Sequence, residues 1–196
     1  MDIQAEHMKH RCFFMAAMCG LSLYSWFHYS LFDPIDNSFY TPYYQNCLLM
    51  LFYLTWDTYH MCKTPLIRRT DLIIHHSVSF VSYVSCINNN ALQMSNVMIM
   101  ECISLMNYAL RSKENARILK LYRTLCILCV RMPLSLWMWL YYNPTIIYPI
   151  MKVTKGNYHY IYLTTVGNLY SFFIIYDMFI LWKLYNHNNN TMKIIQ

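Results

Sequence analysis

The sequence predicts an all-α protein: a polytopic transmembrane helical bundle of about six helices with both termini cytosolic. Three observations point there. Of 196 residues, 57% are hydrophobic and only 12% are charged, about half the charged share of an ordinary soluble domain. The apolar residues come in long runs, close to the ~20 residues that cross a ~30 Å hydrocarbon layer. Lys and Arg fall in short clusters between those runs, as topology signals do.

Taken in order, the runs place helices at 12–32, 43–62, 71–89, 91–110, 118–141 and 159–184. The first is too long, and too poor in small residues after it, for a cleaved leader, and reads as a span. "FDPIDNSFYTP" separates it from the second, and "YNPTIIYP" separates the fifth from the sixth; prolines mark both as turns. Between the third and fourth, "INNNA" at 87–91 leaves room only for a very tight turn. No linker, repeat or soluble domain interrupts the chain, so 1–196 reads as a single membrane domain.

Charge sets the orientation. Lys9, Arg11, Lys63, Arg68, Arg69, Arg111, Lys113, Arg117, Lys120, Lys183 and Lys193 fall on one side of the spans, and Lys152 and Lys155 on the other. Positive residues favour the cytosolic side, which places both termini there. The net charge of +6 is spread through these clusters, so no nucleic-acid partner is expected. The eight cysteines are scattered through apolar segments, where Cys acts as a small hydrophobe. The lone CxxC at Cys126 and Cys129 reads as packing rather than zinc or redox chemistry.

Ionisable groups inside a span are costly and usually face a bundle interior or a water-filled cavity. Here they are Asp57, His60, His75, His76, Glu101, Arg131 and Asp177, with Asp71 at a boundary. Asp71, His75, Ser79, Ser82 and Cys86 follow steps of four and three, so they share one helix face. His76 lies ~100° away, and the two histidines address two sides of one cavity opening to the cytosol. Three other readings stand beside this one. Arg131 with Glu101 or Asp177 forms a structural ion pair in the first. A metal-dependent lipid enzyme is the second, against which the i, i+4 His pair is missing; no metal site is expected. A small transporter is the third, lacking inverted repeats and Gly/Pro-broken helices. His7, His10, His28, His159 and His187 read as ordinary polar residues.

"RRTDLIIHHSVSFVSYV", "MECISLMNYALR" and "LYRTLCILCVRMPL" resemble the TLC domain over about residues 43–185. That domain is shared by translocating-chain-associating membrane protein, the ceramide synthases and a set of small multi-pass proteins. The shared features are an acid before a tandem His, then Glu101, Asn107 and Arg111, then Arg131, with Asp57 on the preceding helix. The resemblance implies a helical membrane protein of the endoplasmic reticulum or a connected membrane, with membrane lipids as partners. It implies a role in lipid metabolism, sensing or trafficking, with an acyl chain or lipid held in a polar-lined cavity. Its alternative is a ceramide synthase-like N-acyltransferase. There His75 and His76 would be catalytic, Asp57, Asp71, Glu101, Asn107 and Arg131 would support them, and acyl-CoA would be co-substrate, with no resident cofactor. The synthases carry a His-Asp dipeptide and a second Asp further along, where this chain offers only Glu101. The resemblance is therefore to the generic branch of the family.

Overall fold

The computed structural model describes residues 3–29, 40–101, 105, 116–142 and 171–186. Among these the protein is helical throughout, without strands, as the composition predicts. The chain divides into two compact units, Met1–Leu119 and Lys120–Gln196.

The first unit is built on α1 (Ile3–His28), α2 (Pro42–Lys63) and α3 (Thr70–Val97). Helix α1 begins nine residues before the expected first span. Its opening turns, "IQAEHMKH", are good helix formers, with Glu6 at the positive end of the helix dipole. Its inward residues are Met15, Met18, Cys19, Ser22 and Ser25, a stripe with helical spacing. Helix α2 coincides with the helix expected at 43–62. Pro42 starts it, in a position where the missing N–H costs nothing. Extended Thr64, ahead of Pro65, ends it. A 3-10 turn, Pro65–Ile67, then leads into α3. Helix α2 packs against both α1 and α3, and α1 also packs against α3 and the 3-10 turn Met98–Glu101 that succeeds it.

Helix α3 corrects the expected boundary between the third and fourth spans. It runs unbroken from Thr70 through 87–91 to Val97, since the segment contains neither Gly nor Pro to break it. Its axis nevertheless turns sharply there. The Tyr83 hydroxyl lies 3.5 Å from the Met94 carbonyl oxygen, although eleven residues of straight helix span ~16 Å. Likewise His76 faces Asp57 while Ser95 faces Asn46. Those pairs are nineteen residues apart on α3 but eleven apart on α2, so a straight α3 would not meet both. The short turn suggested by "INNNA" exists as a bend within continuous helix. Residues 91–98 are all buried beyond it.

Side chains of α1 and α2 seal the end of α3. Ser22 Oγ and Trp26 Nε1 donate to the Asn96 carbonyl at 2.9 and 3.0 Å, and Cys19 Sγ donates to Met98 O. Asn46 Nδ2 donates to Ser95 Oγ at 2.8 Å and to Met18 O at 3.2 Å. The bonds to Asn96 and Met98 satisfy carbonyls that a helix terminus leaves without partners. The rest of the expected fourth span lies outside the described residues, apart from a helical position at Leu105.

Helix α4 (Ala116–Cys126) begins in the last residues of the first unit and passes through a π turn (Ile127–Arg131) into α5 (Met132–Tyr142). The π turn sits just ahead of Pro133, which has no N–H for the carbonyl four residues back and would clash with it. Lengthening the turn, with the Met132 N–H bonded to Ile127 O, carries the helix past that point. The resulting helix, Arg117–Leu140, has a mean hydropathy of 1.3 and is long and apolar enough to cross a membrane. Helix α6 covers 171–186. The portion of the sixth expected span before residue 171 lies outside the described residues.

Candidate functional site: a carboxylate between two imidazoles

Asp57 lies toward the C-terminal end of the inward stripe of α2 and is 0% exposed. A buried carboxylate is tolerated only where charge and hydrogen bonds compensate it, and here all three helices supply partners. From α1, His7 Nε2 lies 2.7 Å from Oδ1 and Arg11 Nε 3.4 Å from Oδ2. From α2 itself, one turn earlier, the Tyr53 hydroxyl donates to Oδ2 at 3.2 Å. From α3, His76 Nδ1 approaches Oδ2 to 3.5 Å. Arg11 Nε also donates to the Tyr53 hydroxyl at 3.2 Å, closing a ring of contacts. Glu101, in the 3-10 turn after α3, is close enough to act electrostatically on both Arg11 and Tyr53.

The aromatic surroundings hold the rings in place. His7 stacks on Trp56 with centroids 5.2 Å apart and planes 15° from parallel, and His60 lies against the same indole at 4.8 Å. The His7 and His60 rings are 6.0 Å apart. Tyr53 meets His76 edge to face at 5.7 Å. On the other side, the His75 ring is 5.9 Å from that of His76, and both are almost completely buried.

His76 is the group with chemical potential. Its Nδ1 faces the carboxylate and lies 3.3 Å from Thr58 Oγ1. A carboxylate can only accept, and the Thr58 hydroxyl can accept as well as donate, so a proton on Nδ1 suits both neighbours and leaves the Nε2 lone pair on the opposite side of the ring. A carboxylate that orients an imidazole in this way is the recurring arrangement of general-base histidines. At 3.5 Å the contact is longer than a strong hydrogen bond.

The expected cluster is thus assembled in part. Asp57 and His76 meet, and His75 sits beside them. Asp71 pairs with Arg69 at 2.8 Å near the surface. Ser79 and Ser82 are buried, but their hydroxyls donate to the His75 and Val78 carbonyls of their own helix. Asn107 lies outside the described residues. Arg131 forms the ion pair with Asp177, 3.0 Å, within the second unit.

Two partners of Asp57 are not expected from the sequence. His7 belongs to the group read as ordinary polar residues, and Arg11 to the topology charges. The one sequence signal for them is their i, i+4 spacing, which puts both on one face of a helix, once that helix is known to start at Ile3. A second polar group is equally silent in the sequence, the buried Ser22, Ser25, Asn46, Ser95 and Asn96 around the end of α3. Within it, among the described residues, the side-chain amide of Asn96 finds no hydrogen-bond partner, nor does Oε1 of neighbouring Gln93. This leaves spare hydrogen-bonding capacity in the interior.

Together these features define a class: an all-helical protein whose first unit encloses a carboxylate, two neighbouring imidazoles and a guanidinium. Compared with protein families, curated proteins and solved structures, the chain matches none.

Proposed function

We propose that this is a multi-pass membrane protein of the TLC type that handles lipids, holding an acyl chain or lipid with its polar end toward His75, His76 and Asp57. The observation that carries this reading is the distribution of polarity in the first unit. Asp57, His75, His76, Ser22, Ser25, Asn46 and Gln93 are buried, while Phe13, Phe27, Phe52, Ile74, Val81 and Val84 are exposed. Apolar residues on the outside and polar groups within suit a hydrocarbon surround. The positive-residue bias supports cytosolic termini, and the resemblance supports the endoplasmic reticulum or a connected membrane.

The test is lipid analysis. The protein is purified in mild detergent from expressing cells, and co-purified lipids are compared with those of the His75→Ala/His76→Ala variant. Retention of a restricted set of lipids by the wild type, lost in the variant, supports the reading. A lipid profile identical to that of bulk membrane in both overturns it.

The orientation of His76 by Asp57 favours a second reading, acyl transfer from acyl-CoA to a long-chain amine. Nε2 of His76 accepts a proton as the amine nitrogen attacks the thioester carbonyl. The C–S bond then breaks, and the thiolate leaves with that proton, so imidazole is regenerated. Microsomes containing the protein should acylate long-chain amines, and His76→Ala should lower the rate at least ~100-fold, the usual contribution of a general base. Absence of product above background across acyl-CoA chain lengths would exclude this reaction.

A further inference from the structure

We propose that the first helix sets the tautomer of His76 through Asp57: Arg11 keeps Asp57 an anionic acceptor, which holds the imidazole proton on Nδ1 and leaves Nε2 free. Its significance for catalysis rests on the acyl-transfer reading, but the tautomer itself does not.

The groups facing Asp57 are His7 and Arg11 from α1, Tyr53 from α2 and His76 from α3. Glu101 lies in the same neighbourhood. Of the cationic candidates, only Arg11 is permanently charged. Its guanidinium reaches both the carboxylate and the Tyr53 hydroxyl, and its side chain is largely buried, as is that of His7. Screening by water is correspondingly weak.

Donor and acceptor chemistry dictates the consequence of losing that charge. A fully buried carboxylate without a cation takes up a proton rather than remain charged. Arg11 and His76 both face Oδ2, whereas His7 faces Oδ1, so the oxygen that loses its cation is Oδ2. A proton placed there makes Asp57 a donor toward His76 while Oδ1 still accepts. Nδ1 of His76 then accepts from it, and the ring proton moves to Nε2. The imidazole would turn its protonated nitrogen, not its lone pair, away from Asp57. His7 Nε2 lies 2.7 Å from the opposite oxygen, Oδ1, and its ring stacks on Trp56. Arg11 and His7 are therefore positioning residues, acting through Asp57.

The test reads the tautomer directly. The full-length protein, labelled with 15N only at histidine, is placed in nanodiscs. Two-bond proton–nitrogen correlation spectra then report which nitrogen of each ring carries the proton, and His76→Gln assigns the signal. The wild type should show His76 protonated on Nδ1. Arg11→Gln should move the proton to Nε2, while Arg11→Lys, which restores the charge, should return it to Nδ1. A wild-type His76 protonated on Nε2 overturns the proposal, as does an Arg11→Gln protein that retains the Nδ1 proton. Should Arg11→Gln fail to fold, the wild-type and Arg11→Lys spectra decide, both being required to show Nδ1–H. The expected tautomers without acyl transfer would remove the acyl-transfer reading and leave this inference standing.

Discussion

Asp57 brings together side chains as far apart in sequence as His7 and His76, because a buried carboxylate has to find charge and donors wherever the fold can supply them. Its replacement is therefore costly. Asp57→Asn removes the anion that Arg11 faces and should destabilise the protein by about 3 kcal/mol, the lower end for breaking a buried ion pair. Thermal unfolding in detergent reads this as a fall in Tm. Combining it with Arg11→Met should cost less than the two single losses added together, since residues in one network are coupled. Tyr53→Phe deletes a donor to Asp57 and an acceptor for Arg11, and should cost about 1–2 kcal/mol. At this scale the sequence is informative for Asp57, His75 and His76, whose types are out of place in apolar runs. It is uninformative for His7 and Arg11, because a polar residue near a terminus looks the same whether it faces water or a buried acid.

Among the elements, α3 shows most clearly how tertiary contacts reshape local preference. Asparagines at 88–90 are poor helix formers, and a break there is what local preference favours. Helix continues because residues 91–98 are buried against α1 and α2, and the helix end is sealed by Ser22, Trp26 and Asn46. Helix formation draws most of its stability from such packing rather than from propensity. Ser22→Ala should therefore cost about 1 kcal/mol, and Asn46→Ala about 2 kcal/mol, as each leaves buried groups without a partner. Hydrogen exchange at residues 91–97 should accelerate in both variants, while exchange in 120–142, in the second unit, should stay unchanged. The π turn at Ile127–Arg131 has a comparable cause, since Pro133 forbids a regular bond there and the backbone lengthens instead.

For the whole molecule, the decisive quantity is where polarity lies relative to the surface. Exposed Phe13, Phe27, Phe52, Ile74 and Val84 in the first unit, and Ile175, Met178 and Trp182 in the second, form apolar exteriors. In water such patches would promote association; in lipid they are the matching surface. The protein should accordingly remain in the membrane pellet after alkaline carbonate extraction. On the proposed orientation the Asn189–Thr191 sequon should remain unglycosylated in cells, because a C-terminus on the cytosolic side would not meet the glycosylation machinery. Release by carbonate would overturn the multi-pass reading, and a glycosylated Asn189 would overturn the proposed orientation.

Composition and run length by themselves determined the helical class, because burying or exposing this much apolar surface in ~20-residue stretches leaves the backbone few alternatives to helix. Residue type alone also singled out Asp57 and the tandem histidine. Only the tertiary structure decided which groups meet. Whether His76 or Asp71 faces Asp57, whether α1 starts early enough to deliver His7 and Arg11, and whether α3 bends or breaks depend on contacts between distant residues. No local pattern encodes those contacts, because a helix face fixes which side chains align but not what lies opposite them.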